Sequence, residues 1–332
     1  MANKTAYLDA PGTPLRIGDS EIPIPGPDDI VVKNHAIAIN PVDNMISTTG
    51  LGPTSWPIVL GSDLAGSVHA VGANLTRFKP GDRVIGFAQW LIRRTPADGA
   101  FSLYTRLPAG NAAILPDGIS YTDGAVLGMA IGTAVSGLNE EKCLGLPFPS
   151  LTPAQTGGVL VVYGASSSIG SMATQLATAS GIRVIAIASP ANFELCRQCG
   201  ATDTFSYKHP TVVDEVVAAV GSDTFVGIFE SISSSASYKI SLAILEKLGG
   251  GRMACSPPGP TTLPGNVKAE MMIAMGEHSI PVFEHFVTQA LESGQLKCQP
   301  PPLVVGNGLE SLQTALETLQ AGVSGRKMVV TL

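Results

Sequence analysis

Residues 159–177 read VLVVYGASSSIGSMATQLA, an apolar strand joined by a short turn of glycine, alanine and serine to a helix of small residues. A helix N-terminus offers N–H groups without partners and a partial positive charge, which suit the pyrophosphate of a dinucleotide. Small turn residues let the backbone approach that phosphate closely. In the pattern G-x-G-x-x-G, Ala165 and Ser167 replace the first two glycines and Gly170 provides the last. An ordinary buried strand–turn–helix therefore stays open beside the dinucleotide interpretation.

The composition limits the kind of protein. A length of 332 residues is typical of two domains, and 45% hydrophobic against 14% charged residues argues against disorder. A net charge of −6 without a basic run excludes nucleic acid and anionic membranes as expected partners. The N-terminus lacks the apolar core of a secretory signal, and no apolar run approaches the ~20 residues of a membrane span. We therefore expect a cytoplasmic protein.

The cysteines carry no evident chemistry. They are Cys143, Cys196, Cys199, Cys255 and Cys298, an odd number without a disulfide framework, so we expect reduced thiols. Cys196 and Cys199 form a C-x-x-C, but it lies in a predicted helix ending at Gly200. No second cysteine or histidine pair supports a metal or redox role there.

The sequence pattern changes near Tyr121. Before it, short β-branched runs such as IVVKNHAIAI and AGSVHAVG are broken by glycine and proline, which predicts a β-rich domain with a barrel. After it, strands alternate with helices, which predicts a parallel, doubly wound sheet. We therefore predict an α/β protein with one domain of residues 1–120 and 276–332 and a dinucleotide-binding domain of residues 121–275.

Several motifs in this order resemble the medium-chain dehydrogenase/reductase superfamily over essentially the whole chain. They are Asn40-Pro41-Val42-Asp43, LGSDLAG at 60–66, VG at 71–72, FKPGDRV at 78–84, DGAF at 98–101 with Tyr104, the turn at 164–170, Gly200-Ala201 and Gly325-Arg326-Lys327. The resemblance implies a GroES-like β-barrel catalytic domain and a Rossmann cofactor domain.

The positions of the family's catalytic zinc ligands predict a metal-free protein. Zinc-dependent members carry cysteine, histidine and cysteine where this chain has Asn40, Ser62 and Met129. An amide and a hydroxyl bind zinc weakly, and a thioether suits softer metals. The four closely spaced cysteines of the family's structural zinc lobe are also missing from residues 88–104. A metal assay that found stoichiometric zinc would overturn this prediction.

Without a Lewis acid, hydride transfer to the β-carbon of an α,β-unsaturated carbonyl remains feasible, because the substrate carbonyl spreads the developing charge. Zinc-free members with these motifs are quinone reductases or enoyl reductases. The proline-rich segment 144–158 and ASPANF at 188–193 resemble fungal trans-acting enoyl reductases of secondary metabolism. That resemblance implies an enoyl substrate, small or carrier-bound, and a polyketide synthase partner. An NADPH:quinone reductase and a non-redox or structural role stay open as alternatives.

NADPH is the expected cofactor. NAD sites place an acidic residue about 20 residues after the glycines, whereas this chain has Ser189 and Asn192 there and no carboxylate before Glu194. Tyr207 and Lys208 follow the next strand, where the family often contacts the adenosine phosphate. Alternatively, Tyr207 is a packed strand-end ring and Lys208 a solvated charge.

Three candidate catalytic residues come from the resemblance. Asn40 either orients a carbonyl or the nicotinamide amide, or forms a structural turn before Pro41. Thr133 either faces the nicotinamide ribose or bonds its own helix backbone. Tyr104 is a possible proton donor or a core residue. For Asp43 and Asp63, buried ion pairing is the expected role.

Further residues are expected to bind the cofactor at family positions. Ser166, Ser167 and Ser168 either bond the pyrophosphate or simply form the turn. The full expected set is Pro41, Asp43, Asn44, Thr133, Gly164, Ser166, Ser167, Ser168, Ile169, Gly170, Ser189, Asn192, Tyr207, Lys208, Ser231, Arg326 and Lys327. The aromatic residues Trp56, Phe87, Trp90 and Phe101 either line a substrate pocket or fill the core.

Overall fold

The computed structural model describes residues 2–53, 55–274 and 277–332. It contains two compact units, one of Met1–Met129 with Pro301–Leu332 and the other of Ala130–Pro300. The sequence instead placed the domain boundaries at 120/121 and 275/276. The second of these falls on Met275 and Gly276, which lie outside the described residues.

The first unit is built mainly of β-strands. Its elements are β1 (Asn3–Leu8), β2 (Arg16–Ser20), β3 (Asp29–Ala38), α1 (Pro41–Thr49), β4 (Ile58–Val59), β5 (Asp63–Val71), β6 (Arg83–Phe87), α2 (Trp90–Arg93), β7 (Tyr104–Pro108), β8 (Ala112–Ile114), α3 (Tyr121–Gly124), β15 (Pro302–Asn307), α11 (Ser311–Gln320) and β16 (Lys327–Thr331). One sheet has the order β2-β1-β4 and the other β15-β16-β3-β5-β6-β8, with β7 also paired to β3. A core containing Phe101, Leu64 and Ile37 lies inside.

Helix α1 begins at the N-P-V-D motif for local reasons. Asn40 is the N-cap residue, and Pro41 occupies the first helical turn, where its missing N–H costs nothing. The Asp43 carboxylate accepts the Asn40 backbone N–H at 2.8 Å, as in a capping box. The motif therefore starts a helix that the sequence pattern had not predicted.

The second unit alternates strands with helices. Its elements are α4 (Gly128–Asn139, beginning in the first unit), β9 (Gly158–Tyr163), α5 (Ser168–Ala179), β10 (Arg183–Ala188), α6 (Phe193–Gln198), β11 (Asp203–Ser206), α7 (Val212–Val220), β12 (Thr224–Glu230), α8 (Ser235–Lys247), β13 (Gly251–Cys255), β14 (Val267–Met271), α9 (Ile280–His285) and α10 (Val287–Glu292). The strands pair in the order β11-β10-β9-β12-β13-β14. Each of these pairings is parallel, which confirms the predicted doubly wound sheet.

Two helices predicted as continuous are interrupted. The pattern predicts one helix over 121–138, but α3 ends at Gly124 and α4 begins at Gly128. It predicts another over 281–295, which the structure divides into α9 and α10 at Phe286. Buried apolar residues continue through both breaks, so the hydrophobic pattern alone does not show them. Among the described residues, no helix is long and apolar enough to cross a membrane.

Candidate functional site

The turn after β9 is shaped by two glycines. Gly164 has a φ of 74°, a left-handed conformation that favours glycine. A Cβ at Gly170 would lie 2.3 Å from the Gly164 carbonyl oxygen, so α5 packs directly on the turn. The last glycine of the motif is therefore needed for close packing of the helix on the strand, as in dinucleotide-binding turns.

A chain of hydrogen bonds holds the turn. The Gly170 N–H donates to the Ser167 hydroxyl at 3.0 Å, and the Ser167 and Ser231 hydroxyls are 2.9 Å apart. The Ser231 hydroxyl donates to the Tyr163 carbonyl at 2.8 Å. Since a hydroxyl has a single hydrogen, Ser167 then donates to Ser231. These contacts give Ser167 and Ser231 a part in forming the turn, whereas their expected bonds to a cofactor remain predictions.

The neighbouring polar residues meet at the same edge of the sheet. Asn192 Nδ2 donates to the Ser166 hydroxyl at 3.1 Å, and the Asn192 N–H donates to the Ser189 carbonyl at 2.9 Å. Ser166 is half-buried, and accepting one bond leaves its hydrogen for another acceptor. The structure thus brings Ser166, Ser189 and Asn192 together, whereas their expected contacts with a cofactor remain predictions.

The residues after β11 extend this edge. The Tyr207 ring centroid lies 6.4 Å from that of Tyr163, and Lys208 Nζ lies 5.8 Å from the Tyr207 ring. Glu194, the first carboxylate after β10, accepts from Gln198 at 3.3 Å along its own helix. It also lies 3.7 Å from Arg197. The residues directly after β10 are therefore Ser189 to Asn192 without a carboxylate, at the place where an NAD site would carry an acid.

The strand order makes this edge a switch point. The chain runs from β9 outward to β10 and β11 and then returns to β12 on the other side of β9. Ligands of doubly wound sheets bind beyond the carboxyl ends of the strands at such a point. Gly164, Ser189, Tyr207 and Ser231 each follow directly after one of these strands. The turn, the N-terminus of α5 and this edge fit a dinucleotide.

The first unit holds a closed polar cluster centred on Asp63. Lys327 Nζ lies 3.0 Å from Asp63 Oδ2, and it also donates to Asn40 Oδ1. Asn40 Nδ2 donates to Asp63 Oδ2 at 2.9 Å, and the Met129 N–H donates to Asp63 Oδ1. Asp63 is fully buried and Lys327 is 4% exposed. Both ends of the Asn40 amide are therefore fixed by the ion pair.

Asp43 lies beside this cluster and is fully buried. Its carboxylate accepts the Gly61 N–H at 3.1 Å in addition to the Asn40 N–H. Burial, followed by the charge of Asp63, raises the pKa of Asp43, whereas the two N–H donors and Lys327 lower it, and the net result is a pKa of about 7. Asp63 forms the buried ion pair expected of it, and Asp43 instead bonds backbone N–H groups.

The zinc-ligand positions of the family do not form a zinc site here. The Asn40 amide donates to Asp63 and accepts from Lys327. The buried Ser62 hydroxyl has no hydrogen-bond partner among the described residues. The described residues contain no group of three or more histidine, cysteine or acidic side chains that could hold a metal ion. An amide, a hydroxyl and a thioether are poor zinc ligands, so this set of side chains does not fit the metal.

The structure does not bring Tyr104 to the Asp63 cluster. Tyr104 pairs with Lys33 on β3, whereas Asp63 pairs with Ala38 at the other end of that strand. At ~3.3 Å per residue, Lys33 and Ala38 are about 16 Å apart along β3, so Tyr104 and Asp63 pair with opposite ends of this strand. The Tyr104 ring is buried and lies edge-on to His69, with centroids 4.9 Å apart. Its contacts are those of a packed core residue.

Other predicted residues have varied surroundings. Thr133 is half-buried in α4, Ser168 and Ile169 are half-buried in the first turn of α5, and Asn44 is half-buried on α1. Pro41 and Arg326 are exposed, and Arg326 donates to the Pro302 carbonyl at 3.4 Å. Among the aromatic candidates, Phe87, Trp90 and Phe101 are buried and Trp56 packs against the core.

The C-x-x-C thiols are buried. Burial raises the pKa of Cys196 to about 11 and that of Cys199 to about 12. Thiolate is the reactive form of cysteine, so these pKa values oppose redox chemistry at this pair.

Two features escaped the sequence interpretation. The partner of Asp63 lies in β16, and no local spacing relates residues 63 and 327. Glu230, the last residue of β12, is a fully buried carboxylate that the motifs do not mark. Its position after an apolar run, directly before Ser231, was the one available signal.

Known families match both parts of the chain. The family described as alcohol dehydrogenase GroES-like domain matches residues 26–117, and the one described as zinc-binding dehydrogenase matches residues 168–280. With the parallel sheet and the curated relatives below, these matches show that the chain belongs to the medium-chain dehydrogenase/reductase superfamily, a family of oxidoreductases. The predicted family and fold class are confirmed.

Curated relatives match nearly the whole chain. Dehydrogenase orsE of Emericella nidulans is 49% identical, with 99% of each chain covered. Trans-enoyl reductase himH of Aspergillus japonicus is 34% identical, covering 95% of this chain and 93% of the relative. Trans-enoyl reductase tndF of Aspergillus flavipes is 33% identical, with 99% of each chain covered.

Solved structures share the fold. The CurK enoyl reductase has a TM-score of 0.78 at 19% identity, with 99% of each chain covered. A structure named as an NAD-dependent alcohol dehydrogenase has a TM-score of 0.74 at 26% identity, again with 99% of each chain covered.

Proposed function

We propose that this protein is a zinc-free, NADPH-dependent enoyl reductase of secondary metabolism that transfers hydride to the β-carbon of an α,β-unsaturated carbonyl. The observation that carries the proposal is the Asp63 cluster. At the positions where zinc-dependent members hold their metal, this chain has an amide, a hydroxyl and a thioether. The amide is already bonded to a buried lysine–aspartate pair. Relatives named trans-enoyl reductases support the choice of substrate class.

The chain's own residues would bind and orient the reactants. When bound, NADPH supplies the hydride. The first turn of α5 and Ser166 would hold its pyrophosphate, and Thr133 would bond the nicotinamide ribose. Asn40 has a second Nδ2 hydrogen, which would donate to the substrate carbonyl and stabilise negative charge on its oxygen. Fixing both ends of the amide beforehand removes the need to reorient it during the reaction.

The residues at the edge of the sheet support a preference for NADPH. Ser189, Asn192 and Lys208 can donate hydrogen bonds to a 2′-phosphate, whereas Glu194 is bonded along its own helix. Comparing KM for NADPH and NADH tests this preference. A lower KM for NADH would contradict it.

The reaction is tested by a screen of NADPH oxidation over enones, quinones and carrier-tethered enoyl thioesters. We expect enone-dependent loss of NADPH absorbance. Oxidation with quinones alone would make the protein a quinone reductase, and no oxidation with any acceptor would support a non-redox role. Faster reduction of the carrier-tethered thioester would support a carrier-bound substrate and a polyketide synthase partner.

A further inference from the structure

Glu230 is a fully buried carboxylate at the carboxyl end of β12. Oε1 accepts the Ile232 N–H at 3.2 Å and Oε2 accepts the Ser233 N–H at 2.7 Å. Burial raises the pKa of Glu230, and these donors oppose the shift. Ser237 on α8 is a further hydrogen-bond partner. Since burying a carboxylate is costly, the two backbone bonds indicate that Glu230 holds the loop of Ile232 and Ser233.

The loop that Glu230 binds has an unfavourable backbone conformation. Ser233 has a φ of 55°, in the left-handed region that a residue with a Cβ rarely adopts. Its hydroxyl donates to the Ser256 carbonyl. Strained backbone persists only when its surroundings hold it, and it is often found at functional sites. Here the Glu230 carboxylate and the Ser256 carbonyl both bond Ser233 and stabilise this conformation.

The same loop contacts the dinucleotide turn. A Cβ on Gly164 would lie 2.5 Å from Ile232 Cγ1 and 2.5 Å from Ser231 Oγ. The Ser231 hydroxyl bonds the Tyr163 carbonyl. Ile232 is 48% exposed, so an apolar side chain remains accessible beside the turn. Such a surface suits the flat face of an aromatic ring.

We propose that Glu230 is a positioning residue for the nicotinamide cofactor, which fixes the backbone of Ile232 and Ser233 so that Ile232 packs against the cofactor beside the Gly164 turn. The inference rests on the proposed function for the identity of the cofactor. Glu230 acts through the loop and does not itself touch the ligand.

The variant Glu230→Gln tests this role, because its amide has the size of the carboxylate but only one accepting oxygen. We expect the Kd for NADPH, measured by fluorescence titration, to rise roughly tenfold. Amide hydrogen exchange at Ile232 and Ser233 should also become faster. Glu246→Gln, which changes an exposed carboxylate on α8, should alter neither quantity.

A second substitution distinguishes a role of Glu230 in positioning the loop from a role in the stability of the whole protein. Glycine adopts a positive φ without strain, so Ser233→Gly in the Glu230→Gln background should recover NADPH affinity at least severalfold. Unchanged NADPH affinity in Glu230→Gln, or no recovery in the double variant, would overturn the proposal.

The wild-type protein provides a readout that needs no variant. Adding NADPH should slow amide exchange at residues 231–234, and unchanged exchange on NADPH binding would overturn the role of the loop. If the wild-type protein binds neither NADPH nor NADH, the proposed function itself fails. That result is distinct from a cofactor-binding protein whose loop does not respond.

Discussion

The Asp63 cluster and the serine turn after β9 are both polar, but they differ in how their hydrogen bonds are completed. In the cluster, Lys327, Asn40 and the Met129 N–H all bond one buried carboxylate. In the turn, Ser166 is half-buried and accepts from Asn192 with its hydrogen still available. The cluster surrounds a buried carboxylate with protein donors and leaves one Nδ2 hydrogen of Asn40, whereas the turn keeps a hydroxyl donor at a partly accessible edge.

This difference predicts that substitutions in the two regions affect different properties of the protein. A buried ion pair that loses one partner leaves an uncompensated charge, so changes to Lys327 or Asp63 should act first on stability. A half-buried donor interacts with water when no ligand is present, so changes in the turn should act first on cofactor affinity. The following predictions are arranged from the largest expected effect to the smallest.

Lys327→Met should destabilise the protein most, because it leaves the Asp63 carboxylate buried without its cation. We expect a loss of roughly 3–5 kcal/mol in the free energy of unfolding, measured by urea denaturation. The double variant Asp63→Asn/Lys327→Met removes the charge as well and should recover part of that loss. If Lys327→Met were as stable as the wild type, Asp63 could not be a buried carboxylate that depends on Lys327 for its charge balance.

Gly170→Ala should force α5 away from the turn, since the new Cβ would lie 2.3 Å from the Gly164 carbonyl oxygen. Overpacking of this kind costs about 1–3 kcal/mol, and NADPH affinity should fall with it. Thermal unfolding and fluorescence titration measure the two effects. Gly265→Ala, whose Cβ meets no atom within 4 Å, is the matched control and should change neither.

Asp43 should make stability depend on pH. Its pKa is raised from 3.8 to about 7, so the folded state binds a proton that the unfolded state has released. The resulting stabilisation is complete below pH about 4 and is lost as the pH rises through about 7. Asp43→Asn should lower stability overall, because one N–H loses its acceptor, but it should flatten this slope. Urea denaturation between pH 4 and 8 compares the slopes, and equal slopes would contradict the shifted pKa.

Ser167→Ala and Ser166→Ala should divide the roles within the turn. Ser167 caps α5 through the Gly170 N–H, so its loss should cost about 1 kcal/mol of stability. Ser166→Ala should change stability by no more than about 0.5 kcal/mol but should weaken NADPH binding. If Ser166→Ala left NADPH affinity unchanged, the Ser166 hydroxyl would not be a donor to the cofactor.

Local patterns predicted much of the fold. The strand, turn and helix at 159–177 were visible because apolar periodicity and small turn residues occur together in one short stretch. Helix α1 was missed because its start depends on the Asp43 carboxylate bonding the Asn40 N–H, a contact that hydrophobic periodicity does not reveal. The breaks at 125–127 and Phe286 were missed because buried apolar residues continue through them, so the hydrophobic pattern does not show them.

Sequence motifs identified some residues of the candidate site but not how these residues meet in the fold. Motifs identified Asn40, Asp63 and Lys327 separately, but their meeting requires β16 to pair with β3 beside β5. Glu230 was missed because the role we propose for it depends on a loop conformation, with Ser233 at a positive φ, that single residues do not encode. Tyr104 was placed among the catalytic candidates by its motif, while its strand register carries it away from the cluster.

The most direct test of the central claim is enone-dependent oxidation of NADPH by purified protein, with the zinc content determined on the same sample and the assay repeated after a chelator. The closed Asp63 cluster predicts NADPH oxidation by protein without stoichiometric zinc, at a rate that the chelator leaves unchanged. Stoichiometric zinc, together with activity lost on chelation and restored by added zinc, would contradict it.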